Sequence, residues 1–359
     1  MSTLIASRLE LTYPIIQAPM AGGGDTPRLV AAVSSSGGLG FLGCAYLTHT
    51  EILEVSKAVR KLTARPFGIN LFAPSLIPRE IDASKALKAV TPYFREIGLP
   101  DPGPPKPFPY TFDEQFAAVL EVAPSCFSFT FGRLPSGAVE ELRKRRIIVL
   151  GTATTVEEGI ALAQDGVDAV IAQGSEAGGH RGSFDDNAGS GLVGTMALVP
   201  QLVDALKIPV VASGGIMDGR GVAAAFCLGA SAVQMGTAFL CCDESGVSAP
   251  YRRALSSATE DETRITRAFS GRPARGIVNR FMEEVDAHAA GDSPILPFPF
   301  QNNLTRPLRS EAAKQGRSEF LSLWAGQGLR MIKPQGAADL VRSVGTAAKA
   351  ILRDQAQQF

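Results

Sequence analysis

Short apolar runs recur along the chain, each bounded by glycine, proline or polar residues. Eight of them read as buried strands: Ile15–Ala18, Leu39–Leu42, Phe67–Leu71, Cys126–Phe131, Ile147–Gly151, Ala169–Gln173, Val210–Ser213 and Ala232–Met235. Most are rich in valine, isoleucine or phenylalanine and do not alternate strictly, as expected of strands covered on both faces. Between them lie stretches of helical character, Arg28–Ser36, Thr50–Lys61, Ala138–Arg145, Val156–Gln164, Thr195–Leu206 and Gly219–Leu228. Strand and helix in alternation predict βα units on a parallel sheet, and eight units predict closure. The expected fold is α/β, a (β/α)8 TIM barrel over residues 1–240. No strand is followed by a GxGxxG fingerprint, which counts against a Rossmann domain.

Two regions depart from the alternation. Residues 72–125 form a proline-rich insertion, with Pro100–Pro109 expected as an extended loop on the barrel's rim and single helices at Ile81–Ile97 and Asp113–Val122. Residues 241–325 have few β-branched runs and helix-like pieces at Ala249–Ser257, Arg280–Ala290 and Arg309–Glu319, predicting a helical cap beside the barrel mouth. Residues 326–359 end in a stretch, Ala337–Arg353, whose Leu340, Val341, Val344, Ala348 and Ile351 share one helical face, expected to pack back on the barrel.

Composition narrows the function. The 359 residues carry no net charge and contain 3 histidines, without a basic patch for nucleic acid or a segment suited to a membrane. The opening residues lack the basic and apolar regions of a signal peptide, and the five cysteines form no CxxC pair. Buried free thiols and a cytoplasmic location are the expectation.

Reactive residues of such a barrel sit where strands end. Those positions hold Ala18, Pro19 and Met20, Asn70, Gln173, Ser213, Gly214 and Gly215, and Gln234, Met235, Gly236 and Thr237. The last two groups end in glycine and a hydroxyl side chain and make a candidate phosphate clamp. No two-histidine-plus-carboxylate set is present, so no metal site is expected. Amides, hydroxyls and glycine backbone suit an aromatic cofactor with a phosphate tail, the amides matching the edge of a flavin ring. His180 follows Gly178 and Gly179 at the exit of the sixth strand and is the candidate catalytic base or hydrogen-bond donor. Glu176 beside it is either a second base or a structural hydrogen-bond partner. His49 and His288 read as surface residues. Leu323–Leu329, with the only tryptophan, is either a packed helix end or part of the pocket, and Pro297–Asn303 either a turn or a hydrophobic wall over the cofactor.

Together these motifs resemble the nitronate monooxygenases, formerly 2-nitropropane dioxygenases, over nearly the whole chain. Pro14–Gly23 resembles the family's first strand and flavin-contacting loop, Gln173–Gly182 its histidine loop, and Ser213–Ile216 with Met235–Thr237 its FMN phosphate site. Pro299–Leu308 and Trp324–Gln327 resemble late motifs of the class I enzymes. The resemblance implies FMN as cofactor and oxidation of alkyl nitronates such as propionate-3-nitronate by O2, giving a carbonyl compound plus nitrite or nitrate. It implies that His180 positions the nitro group and takes the α-proton of neutral nitroalkanes. It also implies a substrate pocket including Phe298, Phe300, Trp324 and Gln327, with phenylalanine at Phe298 and Phe300 where class I members can place tyrosine. An NAD(P)H-dependent FMN reductase of quinones or enoyl thioesters is the alternative. A flavin-binding protein without turnover is a further one, disfavoured by a chain with no partner-binding extension.

Overall fold

In the computed structural model, residues 4–357 are described apart from 76, 79, 187, 188, 190 and 288–292. His288 and the last three residues of the expected Arg280–Ala290 helix therefore lie outside the described residues.

The apolar runs form strands β1 (Ile15–Gln17), β2 (Gly40–Gly43), β3 (Phe67–Phe72), β4 (Cys126–Thr130), β5 (Ile148–Ala153) and β6 (Ala169–Gln173). After a two-residue strand β7 (Gly179–His180) come β8 (Val210–Ser213) and β9 (Ala232–Met235). Apart from β7 these pair in parallel in the order β1-β9-β8-β6-β5-β4-β3-β2. A parallel bridge between Ile16 and Leu39 closes the ring. At that seam the Gln17 N–H donates to the Leu39 carbonyl at 2.9 Å, and the Gln17 side-chain Oε1 accepts the Phe41 N–H at 3.0 Å. The architecture is a (β/α)8 TIM barrel.

Alternate residues of each strand divide between two cores. Ile16, Phe41, Ile148, Leu150, Ile171 and Val211 fill the barrel, while Val149, Val170, Ala172, Val210 and Ala212 pack under the surrounding helices. Threonine–glutamate capping boxes start three of those helices, at Thr48/Glu51, Thr111/Glu114 and Thr155/Glu158. An N-terminal helix, Leu4–Arg8, which the apolar pattern does not announce, adds Ile5 and Leu9 to the barrel's inner core. Arg8 pairs with Asp168, just before β6, at 2.6 Å, so this plug sits at the strands' N-terminal ends. The C-terminal ends are left for a site.

A further buried cluster lies at that open end. It contains Phe269, Phe281, Leu304 and Phe320, and also Ala86, Val90, Tyr93 and Phe94 of the helix Ser84–Glu96. Tyr93 meets Phe281 edge-on at 5.1 Å, and Glu96 pairs with Arg280 at 2.9 Å and Arg317 at 2.6 Å. The proline-rich segment thus supplies a helix to this second core.

Where only helices are expected, the chain also forms antiparallel strands β10 (Thr263–Thr266) and β11 (Ala274–Ile277). These runs are too short and too polar to read as strands alone; β11 is completed by pairing with β7, Ala274 opposite His180. The helix expected at Arg309–Glu319 spans Phe300–Gln315 and carries Pro307 inside it, a residue that reads as a breaker. The final helix, Ala337–Ala356, packs on the helices Gly219–Cys227 and Pro27–Ser35. All five cysteines are free; Cys227 is exposed at a helix end, whereas Cys242 is buried. Among the described residues no helix is long and apolar enough to cross a membrane.

Gly40 allows the helix Pro27–Ser35 to lie directly on β2: a Cβ there would stand 2.4 Å from the Val30 carbonyl oxygen. Gly40→Ala is expected to cost about 2 kcal/mol through overpacking against backbone, read as a lower denaturant midpoint. An unchanged midpoint would mean that the helix shifts freely on the sheet.

Candidate active site

The strands' C-terminal ends open into a cavity of about 600 Å³. Ala18, Pro19 and Met20 after β1, Asn70 of β3, and Gln173 with Gly178, Gly179 and His180 around the end of β6 line it. Ser213, Gly214 and Gly215 after β8, and Gln234, Met235, Gly236 and Thr237 after β9, complete the wall, with Trp324 facing them. Phe298 stands behind this surface, its ring 6.2 Å from that of His180. Phe300 is buried in the second core, and Gln327 is exposed, its backbone N–H donating to the Glu176 carbonyl at 3.0 Å. The fold therefore does not bring these last two side chains to the cavity.

One end of the wall is built for an anion. Gly214 and Gly215 have φ of 115° and 70°, the left-handed region that turns consecutive N–H groups toward one side. Among the described residues, the Gly214, Gly215 and Gly236 N–H groups donate to no acceptor in the protein. The Thr237 hydroxyl accepts the Gly326 N–H at 2.9 Å, which leaves its own proton to give. Further along, Gln234 Oε1 is buried without a partner, an orphaned acceptor in the cavity wall.

Gln173 is partly spent on its own loop: Nε2 donates to the His180 carbonyl at 3.1 Å and Oε1 accepts the Gly182 N–H at 2.8 Å. Arg181, fully buried, clamps the same loop by donating to the carbonyls of Gly174 at 2.7 Å and Gln173 at 2.9 Å. Glu176 is engaged as a helix cap. Its carboxylate accepts the Thr195 N–H at 2.9 Å and the Thr195 hydroxyl at 3.0 Å, capping a helix whose N-cap, Gly194, has no side chain to do so. Asp25 ties two loops of the mouth together by accepting the N–H groups of Met20 at 2.9 Å and Gly43 at 2.6 Å. Burial outweighs those bonds and pushes its carboxyl up to about 6.

His180 sits in an aromatic cage. Phe131, Trp324, Phe72 and Phe298 have ring centroids 5.6, 5.7, 6.1 and 6.2 Å from its own. Phe131 has φ of 78°, an unusual value for a phenylalanine, and the Arg272 guanidinium lies over its ring at 4.1 Å. Burial first, then the charges of Arg272 and Arg309, hold the His180 imidazole down at about 3, so it is neutral at pH 7. Its tautomer follows from Ser270. The Ser270 hydroxyl donates to the Arg272 carbonyl at 3.1 Å and accepts the Arg272 N–H at 3.3 Å. With its proton directed to Arg272, the Ser270 oxygen stands 2.9 Å from His180 Nε2, placed to accept from an Nε2–H tautomer, and we assign that tautomer on this basis. Nδ1 is then the unprotonated nitrogen and has no partner among the described side chains.

The family model described as nitronate monooxygenase matches residues 4–346. The chain belongs to the nitronate monooxygenase family. The probable nitronate monooxygenase of Staphylococcus saprophyticus is 43% identical over 357 residues, covering 98% of this chain and 99% of the relative. That of Bacillus subtilis is 42% identical over 336 residues, covering 90% and 92%. A solved nitroalkane oxidase from Streptomyces ansochromogenes superposes with a TM-score of 0.89 at 40% identity, covering 98% of this chain and 99% of that one. FabK from Thermotoga maritima superposes less well, with a TM-score of 0.79 at 28% identity over the full length of both. The chain is therefore an oxidoreductase by family.

Several residues of this family member's site escape a reading of strand ends. Tyr46 and Phe72 were reachable, lying within a few residues of a strand exit. Ser270, which bonds His180, and Tyr251, Arg306 and Arg309, which line the cavity, come from the chain after residue 240, where no periodicity marks an active site.

The Ser270 bond makes a spectroscopic prediction. Nitrogen NMR of histidine-labelled protein is expected to show His180 as a neutral Nε2–H tautomer that does not titrate between about pH 5 and 8. In Ser270→Ala the single-tautomer signature is expected to give way to a mixture; an Nδ1–H tautomer in the wild type would refute the assignment.

Proposed function

We propose that the protein uses FMN and O2 to oxidise alkyl nitronates, propionate-3-nitronate among them, and more slowly neutral nitroalkanes, to a carbonyl compound plus nitrite or nitrate. The observation that carries this reading is His180: a buried imidazole in an aromatic cage, lining a cavity that ends in a glycine and hydroxyl cradle. The cradle fits the cofactor. Gly214, Gly215, Gly236 and Thr237 would hold the phosphate through N–H and hydroxyl donors, and the orphaned Gln234 Oε1, with Asn70, would meet the polar parts of the flavin. FMN supplies, when bound, the redox centre between nitronate and O2.

The chain's own residues handle the proton. Nδ1 takes the α-proton of a neutral nitroalkane, leaving nitronate beside imidazolium. A preformed nitronate reaches the same ion pair by bringing a solvent proton to Nδ1, since an anion in the cavity raises the imidazole pKa. Nδ1–H then donates to a nitro oxygen while Ser270 keeps hold of Nε2–H. A base held at about 3 is a weak match for a carbon acid, so preformed nitronates are the better substrates. Phe72, Phe131, Phe298 and Trp324 keep water from the pair.

The alternative reading is a reductase fed by NAD(P)H. Anaerobic mixing separates the two: nitronate is expected to change the flavin absorbance and NADH to leave it alone, and the reverse pattern would move the protein to the reductase branch. His180→Asn is expected to retain cofactor and to lose about 10²- to 10⁴-fold in nitroalkane turnover. Unchanged turnover would remove His180 from the proton step.

A further inference from the structure

One stretch of chain touches both ends of the site. Residues Trp324–Gly328 lie between two short 3-10 turns, Ser318–Phe320 and Leu329–Met331, and make one bridge, Trp324 with Gly276. At one end of this strap the Trp324 ring stands 5.7 Å from that of His180, and the Trp324 carbonyl accepts the Tyr251 hydroxyl. Further along, the Gly326 N–H donates to Thr237 Oγ1 at 2.9 Å and the Gln327 N–H to the Glu176 carbonyl at 3.0 Å. Gly328 passes the cradle itself: a Cβ there would stand 3.4 Å from the Gly215 carbonyl oxygen and 2.5 Å from Met217 Cγ.

Between these ends the strap is pressed backbone to backbone on the histidine loop. A Cβ on Gly178 would lie 2.4 Å from the Gly326 nitrogen, and one on Gly326 2.5 Å from the Glu176 carbonyl oxygen. Trp324 is two residues from Gly326, so the position of Gly326 limits where the indole can stand. Of the four cradle residues, Gly214, Gly215, Gly236 and Thr237, only Thr237 offers a side chain. Its oxygen is held by the strap, which leaves its proton for the cavity. A hydroxyl that donates to an anion becomes a stronger acceptor for the N–H behind it. An occupied cradle therefore favours the arrangement in which Gly326 is bonded and Trp324 faces His180.

We propose that Thr237 is a positioning residue as well as a phosphate donor: through Gly326 it couples occupancy of the cradle to the placement of Trp324 against His180. The strap Trp324–Gly328 is the coupling element, and the group it answers to is a phosphate monoester. A flavin without phosphate fills the ring end of the cavity and leaves the strap unfastened. The inference rests on the FMN reading for the identity of the phosphate, not for the coupling of the strap to an anion.

The test uses protein labelled with 5-fluorotryptophan, which gives one fluorine signal because Trp324 is the only tryptophan. The whole chain is saturated with FMN or with riboflavin, and fluorine NMR is read beside amide hydrogen exchange. FMN is expected to give a single narrow resonance and to slow exchange at Gly326 and Gln327 at least about 10-fold more than riboflavin does. Thr237→Val, which keeps the shape and loses the hydroxyl, is expected to make the two flavins equivalent, and Thr237→Ser to restore the difference. Equal protection by both flavins in the wild type would overturn the coupling, as would a full difference surviving in Thr237→Val. If neither flavin binds, the cofactor reading falls, and inorganic phosphate against chloride at equal ionic strength poses the same question. Narrowing of the signal by phosphate that Thr237→Val abolishes keeps the coupling; a signal that phosphate leaves unchanged removes it.

Discussion

Eight parallel strands leave no open edge only if the first meets the second, and in this chain that closure rests on a short contact. β1 is three residues long, and one bridge joins it to β2. The Gln17 side chain supplies an acceptor where the ladder runs out. A buried N–H without a partner would cost more than the strand's length can repay, so a polar side chain in the wall is favoured over an apolar one. Closure brings the strand exits, scattered over more than two hundred residues of sequence, into one ring around the cavity.

The second core then decides what that ring can do. It packs Phe269, Phe281 and Phe320 with the helix from the proline-rich insertion, and its strand β11 captures the backbone of His180. Covering the mouth excludes water, and the charge states follow. His180 is held neutral and Asp25 is pushed toward protonation by the same desolvation, acting on opposite charged forms. Low dielectric also makes the remaining polar contacts count: Ser270 on one imidazole nitrogen, Asn302 on one guanidinium nitrogen of Arg309. A barrel without this cover would leave the same side chains near their ordinary solution behaviour.

Much of this was readable from the linear pattern. The eight barrel strands, the cradle residues and His180 stand at or close to their expected positions because buried strands, glycine turns and barrel exits are local in sequence. Glu176 was left open between base and structural partner; it became a helix cap only because Gly194, eighteen residues on, offers that helix no side chain. Phe300 and Gln327 belong to motifs near the site yet do not line the cavity, since a motif names a segment, while helix phase at Phe300 and the turn at Gln327 choose where each side chain goes.

Period, turn chemistry and strand spacing are properties of neighbours along the chain, and from them came the α/β class, the closed barrel, the end of the barrel that holds the site and the histidine at its mouth. Contacts between distant segments decided the rest. The two-residue β7 exists because β11 lies beside it, the tautomer of His180 because Ser270 reaches it from ninety residues away, and the unpaired charge of Arg309 because the fold buries it out of reach of every described carboxylate. Burial and charge compensation are set by what surrounds a group in space, and no periodicity in one segment records what another will bring to it.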